Sequence, residues 1–221
     1  MTWLEVAHVT LEPALLPLHR QVRKKLLELA SQRRPSPPWE ILDVGGRKSP
    51  YTIGIPARIY VTDLPRKTAL QRELHLGIEP SLVEPIRKAR SNIRWILFDD
   101  MTCSSLRDHC FDCVVAVEVL EHVEDDDSFL HEVRRVLRTP GIFLMTTPNG
   151  DFVPNRNPDH KRHYTQQQLA ELLGRHFEQV TVEHAIRAGI FHKWGLQSWS
   201  PKRPVRTVLS MIGNLVNTIQ S

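Results

Sequence analysis

No apolar run in this chain approaches the roughly 20 residues needed to cross a bilayer, so no membrane-spanning helix is predicted. The opening Met1-Thr2-Trp3-Leu4-Glu5 lacks the basic segment and apolar stretch of a secretory signal. Cytoplasmic residence is the default expectation. Cysteine is scarce: Cys103, Cys110 and Cys113 form an odd set with one CxxC spacing, where a zinc ribbon needs two. Cys113 also sits in the strand-like run Phe111-Asp112-Cys113-Val114-Val115. Neither a disulfide framework nor a metal site is expected. Acidic residues are missing beyond Glu183, while Arg187, Lys193, Lys202, Arg203 and Arg206 follow it. A second basic run covers Arg20, Arg23, Lys24, Lys25, Arg33 and Arg34. No aromatic residue interleaves the run from Arg20 to Arg34 as base stacking requires, and nucleic acid is disfavoured as a partner. The chain also lacks G-x-G-x-x-G and the P-loop pattern, which argues against a dinucleotide or nucleoside triphosphate as cofactor.

What is present reads as α/β. Apolar positions at helical spacing over residues 11–31 predict an N-terminal helix, closed by Pro35-Ser36-Pro37-Pro38. Short apolar runs then predict strands at Ile41 to Val44, Arg58 to Thr62, Ile93 to Phe98, Phe111 to Val117 and Ile142 to Thr146. A sixth is predicted at Val180 to His184. Helical patterns fall between them at Pro80 to Arg90, Asp125 to Leu137 and Gln166 to His176, the last with Thr165 as N-cap. This alternation predicts a doubly wound, mostly parallel sheet covered on both faces. Three segments are expected: a helical extension over 1–38, the α/β domain over 39–186, and a basic, amphipathic extension over 187–221.

In such a sheet, ligands lie at the carboxyl ends of the strands. There the first strand ends in Asp43, Gly45 and Gly46, the second in Asp63, the third in Asp100 and the fourth in Glu118. Carboxylates along one edge suit the hydroxyls and amine of an adenosine-type ligand, and glycines let the backbone approach it. The residues Ile41-Leu42-Asp43-Val44-Gly45-Gly46, Asp63, Asp100-Met101 and Glu118-Val119-Leu120-Glu121-His122 occur in order. With them the chain resembles the class I S-adenosylmethionine-dependent methyltransferases over roughly residues 40–184. The resemblance implies that Asp43, Gly45, Gly46, Arg47, Asp63, Leu64, Asp100, Met101 and Glu118 bind S-adenosyl-L-methionine. Asp63 would take the ribose hydroxyls and Asp100 the adenine amine. Arg47 stands where the family has a second spaced glycine, and Pro50, Gly54 and Pro56 oppose the helix that should follow. Arg47 either meets the cofactor's carboxylate or occupies its site.

Methyl transfer to a hydroxyl is helped by a base near neutral pH, for which histidine is suited. His122 is the leading candidate, with His160, His163 and Tyr164 on the loop after the fifth strand as acceptor-pocket candidates. No Asn/Asp-Pro-Pro-aromatic segment follows the fourth strand, which favours oxygen over nitrogen. A small molecule, sugar, glycan or lipid-linked acceptor is expected. A non-catalytic binding partner or scaffold of the same fold is the alternative. The stretch from Arg66 to Glu79 reads as a lid or a decorated crossover. Val205, Val208, Leu209, Ile212, Leu215, Val216 and Ile219 form a helical apolar stripe. It is expected to pack on the domain or on a second copy in a homodimer, or to rest on a membrane surface.

Overall fold

The computed structural model describes residues 2–32, 38–66, 77–185 and 203–220. Two helices open the chain, α1 (Trp3–Thr10) and α2 (Pro17–Gln32), with a 3-10 turn at Glu12–Ala14 between them. The single helix expected over 11–31 is therefore broken. Pro17 has no N–H and its ring crowds the preceding turn, so it starts a helix but does not continue one. α2 sends Val22 and Leu26 into a core shared with Trp39, Ile41, Tyr51 and Ile59. Buried Glu5 fastens α1 by accepting hydrogen bonds from Thr2 N, Ser91 N and Ser91 Oγ, each at 2.7 Å.

Five strands follow: β1 (Glu40–Val44), β2 (Arg58–Asp63), β3 (Ile93–Phe98), β4 (Phe111–Val117) and β5 (Leu137–Thr146). They pair in parallel in the order β3-β2-β1-β4-β5. Leu42, Val44, Val114 and Ala116 belong to one core, and Ile41, Cys113 and Val115 to the other. Successive side chains point to opposite faces, so β1 and β4 are buried on both sides. That accounts for their unbroken apolar sequence.

α3 (Pro80–Ala89), α4 (Asp126–Val136) and α5 (Gln166–Gly174) take the predicted places. Asp125 caps α4 by accepting from Ser128 N at 2.9 Å, and Thr165 with Gln168 forms a capping box on α5. β5 starts earlier than expected. Its pairing with β4 steps from Phe111↔Leu137 to Cys113↔Ile142, so the Pro140-Gly141 corner is taken up as an irregularity. The sixth strand predicted at Val180 to His184 does not form. That segment packs Val180 and Val182 on the core, and Gln166 Nε2 donates to Val182 O at 2.9 Å without a backbone ladder. The centre of the expected lid, residues 67–76, lies outside the described residues.

The last helix, α6 (Pro204–Gln220), sits against the start of the chain with its polar side inward. Ser210 and Asn214 are buried, and Asn214 Nδ2 donates to Ala14 O at 3.2 Å. Val205, Val208, Leu209, Ile212 and Leu215 are exposed. The apolar stripe therefore does not pack on its own domain. Among the described residues no helix is long and apolar enough to cross a membrane.

Candidate active site

The chain runs from β1 outward through β2 and β3, then returns to lay β4 and β5 on the other side of β1. Strand order reverses there, and the carboxyl ends part to form a crevice. Gly45 opens the loop with φ +68°, and a Cβ on it would stand 3.0 Å from Val119 Cγ2. A Cβ on Gly46 would fall 2.3 Å from the Asp43 carboxyl carbon. A short 3-10 turn over Gly46–Lys48 stands where the resemblance implies a first helix, which Pro50, Gly54 and Pro56 oppose.

Asp43 corrects the expectation drawn from the resemblance: it is fully buried. Its carboxylate accepts from Ser49 Oγ, from Tyr51 OH at 3.1 Å and from Thr52 Oγ1 at 2.7 Å. Arg90, also buried, donates to Thr52 Oγ1 at 2.5 Å. Burial pushes the Asp43 acid up, while the Arg90 charge and the three hydroxyls pull it back. Three converging donors are what an ionised carboxylate accommodates. Asp43 braces the loop from beneath, and Gly46 is glycine because that carboxylate lies under it.

Asp63, at the end of β2, accepts from Leu64 N at 2.9 Å. Burial raises its acid above the ordinary range, opposed by the Arg47 charge. Arg47 Nε stands 3.8 Å from Asp63 Oδ2, with both side chains largely covered. The two acids after β3 divide their tasks. Asp99 is buried and takes Ser104 Oγ at 2.6 Å and Ser105 N at 3.0 Å. Asp100 stays exposed, with Oδ1 accepting from Thr102 N at 2.9 Å. The Met101 side chain is in the core, so only its backbone can serve a ligand. Exposed Leu64 and Phe98 add an apolar shelf between Asp63 and Asp100. Phe98 was not singled out in the sequence, although its register opposite Asp63 places it on this edge.

Across the switch point, Glu118 adopts φ +54° just beyond β4. Its carboxylate is held by Thr146 Oγ1 at 3.0 Å, and the protein crowded around it raises its acid. Glu121 and His122 follow in a 3-10 turn, Leu120–His122. Glu121 is fully buried; Thr147 Oγ1 donates to its Oε2 at 3.1 Å, while Oε1 meets no partner among the described residues. Burial, and then the nearby Glu118 charge, pushes the Glu121 acid up to about 8. In the sequence Glu121 stands only as part of the motif from Glu118 to His122, and neither it nor Asp159 is given a role there.

The loop after β5 folds over this turn, stitched by Lys161 N donating to Glu121 O at 2.7 Å. His122 Nδ1 lies 2.7 Å from Asp159 Oδ2, at an oblique angle. His163 Nδ1 is 2.8 Å from Val153 O, and a carbonyl only accepts, so Nδ1 carries the proton. Its Nε2 is then an acceptor, 2.8 Å from His160 Nδ1, which must donate. His160 Nε2 therefore keeps its lone pair. The His122 and His160 rings meet edge to face with centroids 4.6 Å apart. Tyr164 departs from its expected place in an acceptor pocket. It is buried, and its hydroxyl donates to Asp126 Oδ2 at 2.7 Å, which fixes the loop to α4. A separate open depression is lined by His131, Arg134 and His176, none of which belongs to this edge.

Residues 53–145 match a family model described as a methyltransferase domain. A Mycolicibacterium smegmatis relative named "Probable S-adenosylmethionine-dependent methyltransferase" is 41% identical over 96 residues, 41% of this chain and 36% of the relative. A Tetrahymena thermophila small RNA 2'-O-methyltransferase is 35% identical over 75 residues, 29% of this chain and 18% of that protein. Among solved structures, the Bacillus subtilis YcgJ protein superposes with a TM-score of 0.52 at 16% identity, covering 70% of this chain and 67% of that one. The chain spans about a third of the length of the first curated relatives it matches.

Proposed function

We propose that the chain is a class I S-adenosylmethionine-dependent methyltransferase, as its match to a methyltransferase-domain model and to named methyltransferase relatives supports, and that it methylates a hydroxyl oxygen of a small-molecule, sugar, glycan or lipid-linked acceptor. One observation carries the reading: the sheet edge is chemically divided at its switch point. On the β2–β3 side stand Asp63, Leu64, Phe98 and Asp100. They fit an adenosine, with an acid for vicinal hydroxyls, an apolar shelf for the base and a second acid for its amine. On the β4–β5 side stand Glu118, Glu121, His122, His160 and His163, which suit an acceptor that must lose a proton.

When bound, S-adenosylmethionine supplies a methyl group on a cationic sulfur. The acceptor oxygen forms the new C–O bond, the C–S bond breaks with its electron pair going to sulfur, and the hydroxyl proton leaves. The chain's contribution is to hold the oxygen in line and to ease that proton away. His160, held through Nδ1 by His163, turns a basic nitrogen elsewhere, and His122 lies with its Nδ1 2.7 Å from Asp159 Oδ2. The relative that acts on a ribose 2'-hydroxyl supports oxygen as the acceptor atom. Replacing His122 by Ala should lower turnover by about 10²–10⁴-fold with cofactor affinity unchanged. Full turnover in Ala variants of His122, His160 and His163 together would refute the assignment of the acceptor side.

The outward stripe of α6 extends the proposal to location. Exposed Arg203 and Arg206 flank the start of this helix, and no acidic residue follows Glu183. A face that is apolar outward and basic at its start complements an anionic lipid surface. Such a site would bring a lipid-linked acceptor to the enzyme.

A further inference from the structure

We propose that Glu121, His122 and His160 bind a divalent first-row cation beside the acceptor position. Each offers a ligand atom, and the three atoms lie within 4.8 Å of one another. This rests on the methyltransferase reading for its role in turnover, but not for the binding itself.

Three independent features of these side chains ask for a positive charge. Glu121 is wholly enclosed, yet its Oε1 has no donor among the described residues. Leaving a buried carboxylate oxygen without a donor is costly, so the position is built for an occupant. His160 Nε2 keeps its lone pair because the His160–His163–Val153 O chain consumes the Nδ1 proton. His122 lies with its Nδ1 2.7 Å from Asp159 Oδ2, so a carboxylate stands beside this ring as one commonly does beside metal-bound histidines. The His160 ring is thus set in the tautomer that a metal needs.

The surroundings do not already fill that demand. Lys161 Nζ is paired with Glu124 at 3.3 Å, and Arg162 Nη1 with Asp126 at 3.0 Å. Glu118 adds a second negative charge that acts on Glu121, and a cation would relieve the repulsion between the two carboxylates. Ligand atoms around a cation with bonds of about 2.1 Å stand about 3.4 Å apart in tetrahedral geometry. The present set, within 4.8 Å, must therefore close by up to about 1.4 Å on binding, which side-chain rotation supplies. Two imidazoles and one carboxylate suit Mn²⁺, Co²⁺ or Zn²⁺ rather than Ca²⁺, and leave coordination positions open. An acceptor hydroxyl placed there would become more acidic, which is the help that O-methylation needs.

The test uses the full chain after chelator treatment. Mn²⁺ is titrated and its free signal followed by electron paramagnetic resonance, without cofactor or acceptor. One Mn²⁺ per chain is expected. His160→Ala should weaken it at least ten-fold, while circular dichroism and S-adenosylhomocysteine affinity stay unchanged. Glu121→Gln should weaken it likewise, and Ca²⁺ should not compete. Absence of saturable binding for Mn²⁺, Co²⁺ and Zn²⁺ at millimolar concentration would overturn the inference, as would unchanged binding in His160→Ala. Calorimetry with S-adenosylhomocysteine on the same preparation separates the claims. Cofactor binding without metal binding sinks the cation site alone, and metal binding without cofactor binding sinks the methyltransferase reading alone.

Discussion

Removing the Arg47 guanidinium should strengthen cofactor binding. Arg47 Nε lies 3.8 Å from Asp63 Oδ2, and the two side chains are 12% and 15% exposed. Asp63 is also the acid best placed for the ribose hydroxyls, so ribose and Arg47 compete for one carboxylate. Unit charges at that separation attract by about 4 kcal/mol at an effective dielectric of about 20. Desolvation of both groups offsets most of this and leaves about 1–2 kcal/mol. Arg47→Ala releases that amount and should tighten S-adenosylhomocysteine binding by about 5–30-fold, since 1.4 kcal/mol is a factor of ten. Isothermal calorimetry on both proteins at one ionic strength reads it directly. Five-fold weaker binding would refute the reasoning, because it would mean that the guanidinium leaves Asp63 to hold the cofactor's own carboxylate.

Asp43→Asn should destabilise the fold by about 3–5 kcal/mol, because it removes the charge on which Ser49, Tyr51, Thr52 and Arg90 converge. Thermal denaturation should show Tm lower by about 6–20 °C for a chain of this size, and a shift under 2 °C would deny the bracing role. Burial, with the neighbouring His8 charge adding to it, holds His19 down to about 4, and its ring packs on Tyr51 at 5.8 Å. A histidine lowered on folding favours the folded state above its unfolded value of about 6.5 and loses that contribution as pH falls towards 4. Tm should therefore drop by several degrees between those pH values, and His19→Gln should flatten that slope. An identical slope in the variant would exclude His19 as the cause. Val208→Asp with Ile212→Asp should abolish co-sedimentation with phosphatidylserine vesicles and leave the circular dichroism spectrum intact. Equal sedimentation would exclude the lipid surface, and loss of a dimer instead would assign the stripe to a second copy.

The parallel sheet was legible because β1 and β4, buried on both faces, leave runs with no polar alternation to confuse. Thr165 and Asp125 were legible as caps because capping is local chemistry. Boundaries that depend on a partner were not. Val180 to His184 has a strand's composition but finds no ladder, and the break before Pro17 interrupts an apolar period that otherwise runs on. Asp63 and Asp100 stand on the edge that their spacing implied, whereas Asp43, with the same residue type and place, is enclosed by hydroxyls from its own loop. Nothing in the sequence distinguishes an acid that faces a ligand from one that braces a turn. Likewise Tyr164 and His160 share one short loop, and only the fold turns the tyrosine to Asp126 and the His160 imidazole to Glu121. The apolar stripe of α6 was evident, but its direction depends on whether Asn214 finds a buried carbonyl, and it finds that of Ala14.

The central claim, that the β2–β3 side of this edge holds S-adenosylmethionine, is tested most directly by calorimetric titration of the full chain with the cofactor. The account predicts saturable binding of one molecule per chain, lost or weakened at least ten-fold in Asp63→Ala. Saturable binding that Asp63→Ala leaves unchanged, or no binding at all, would contradict it.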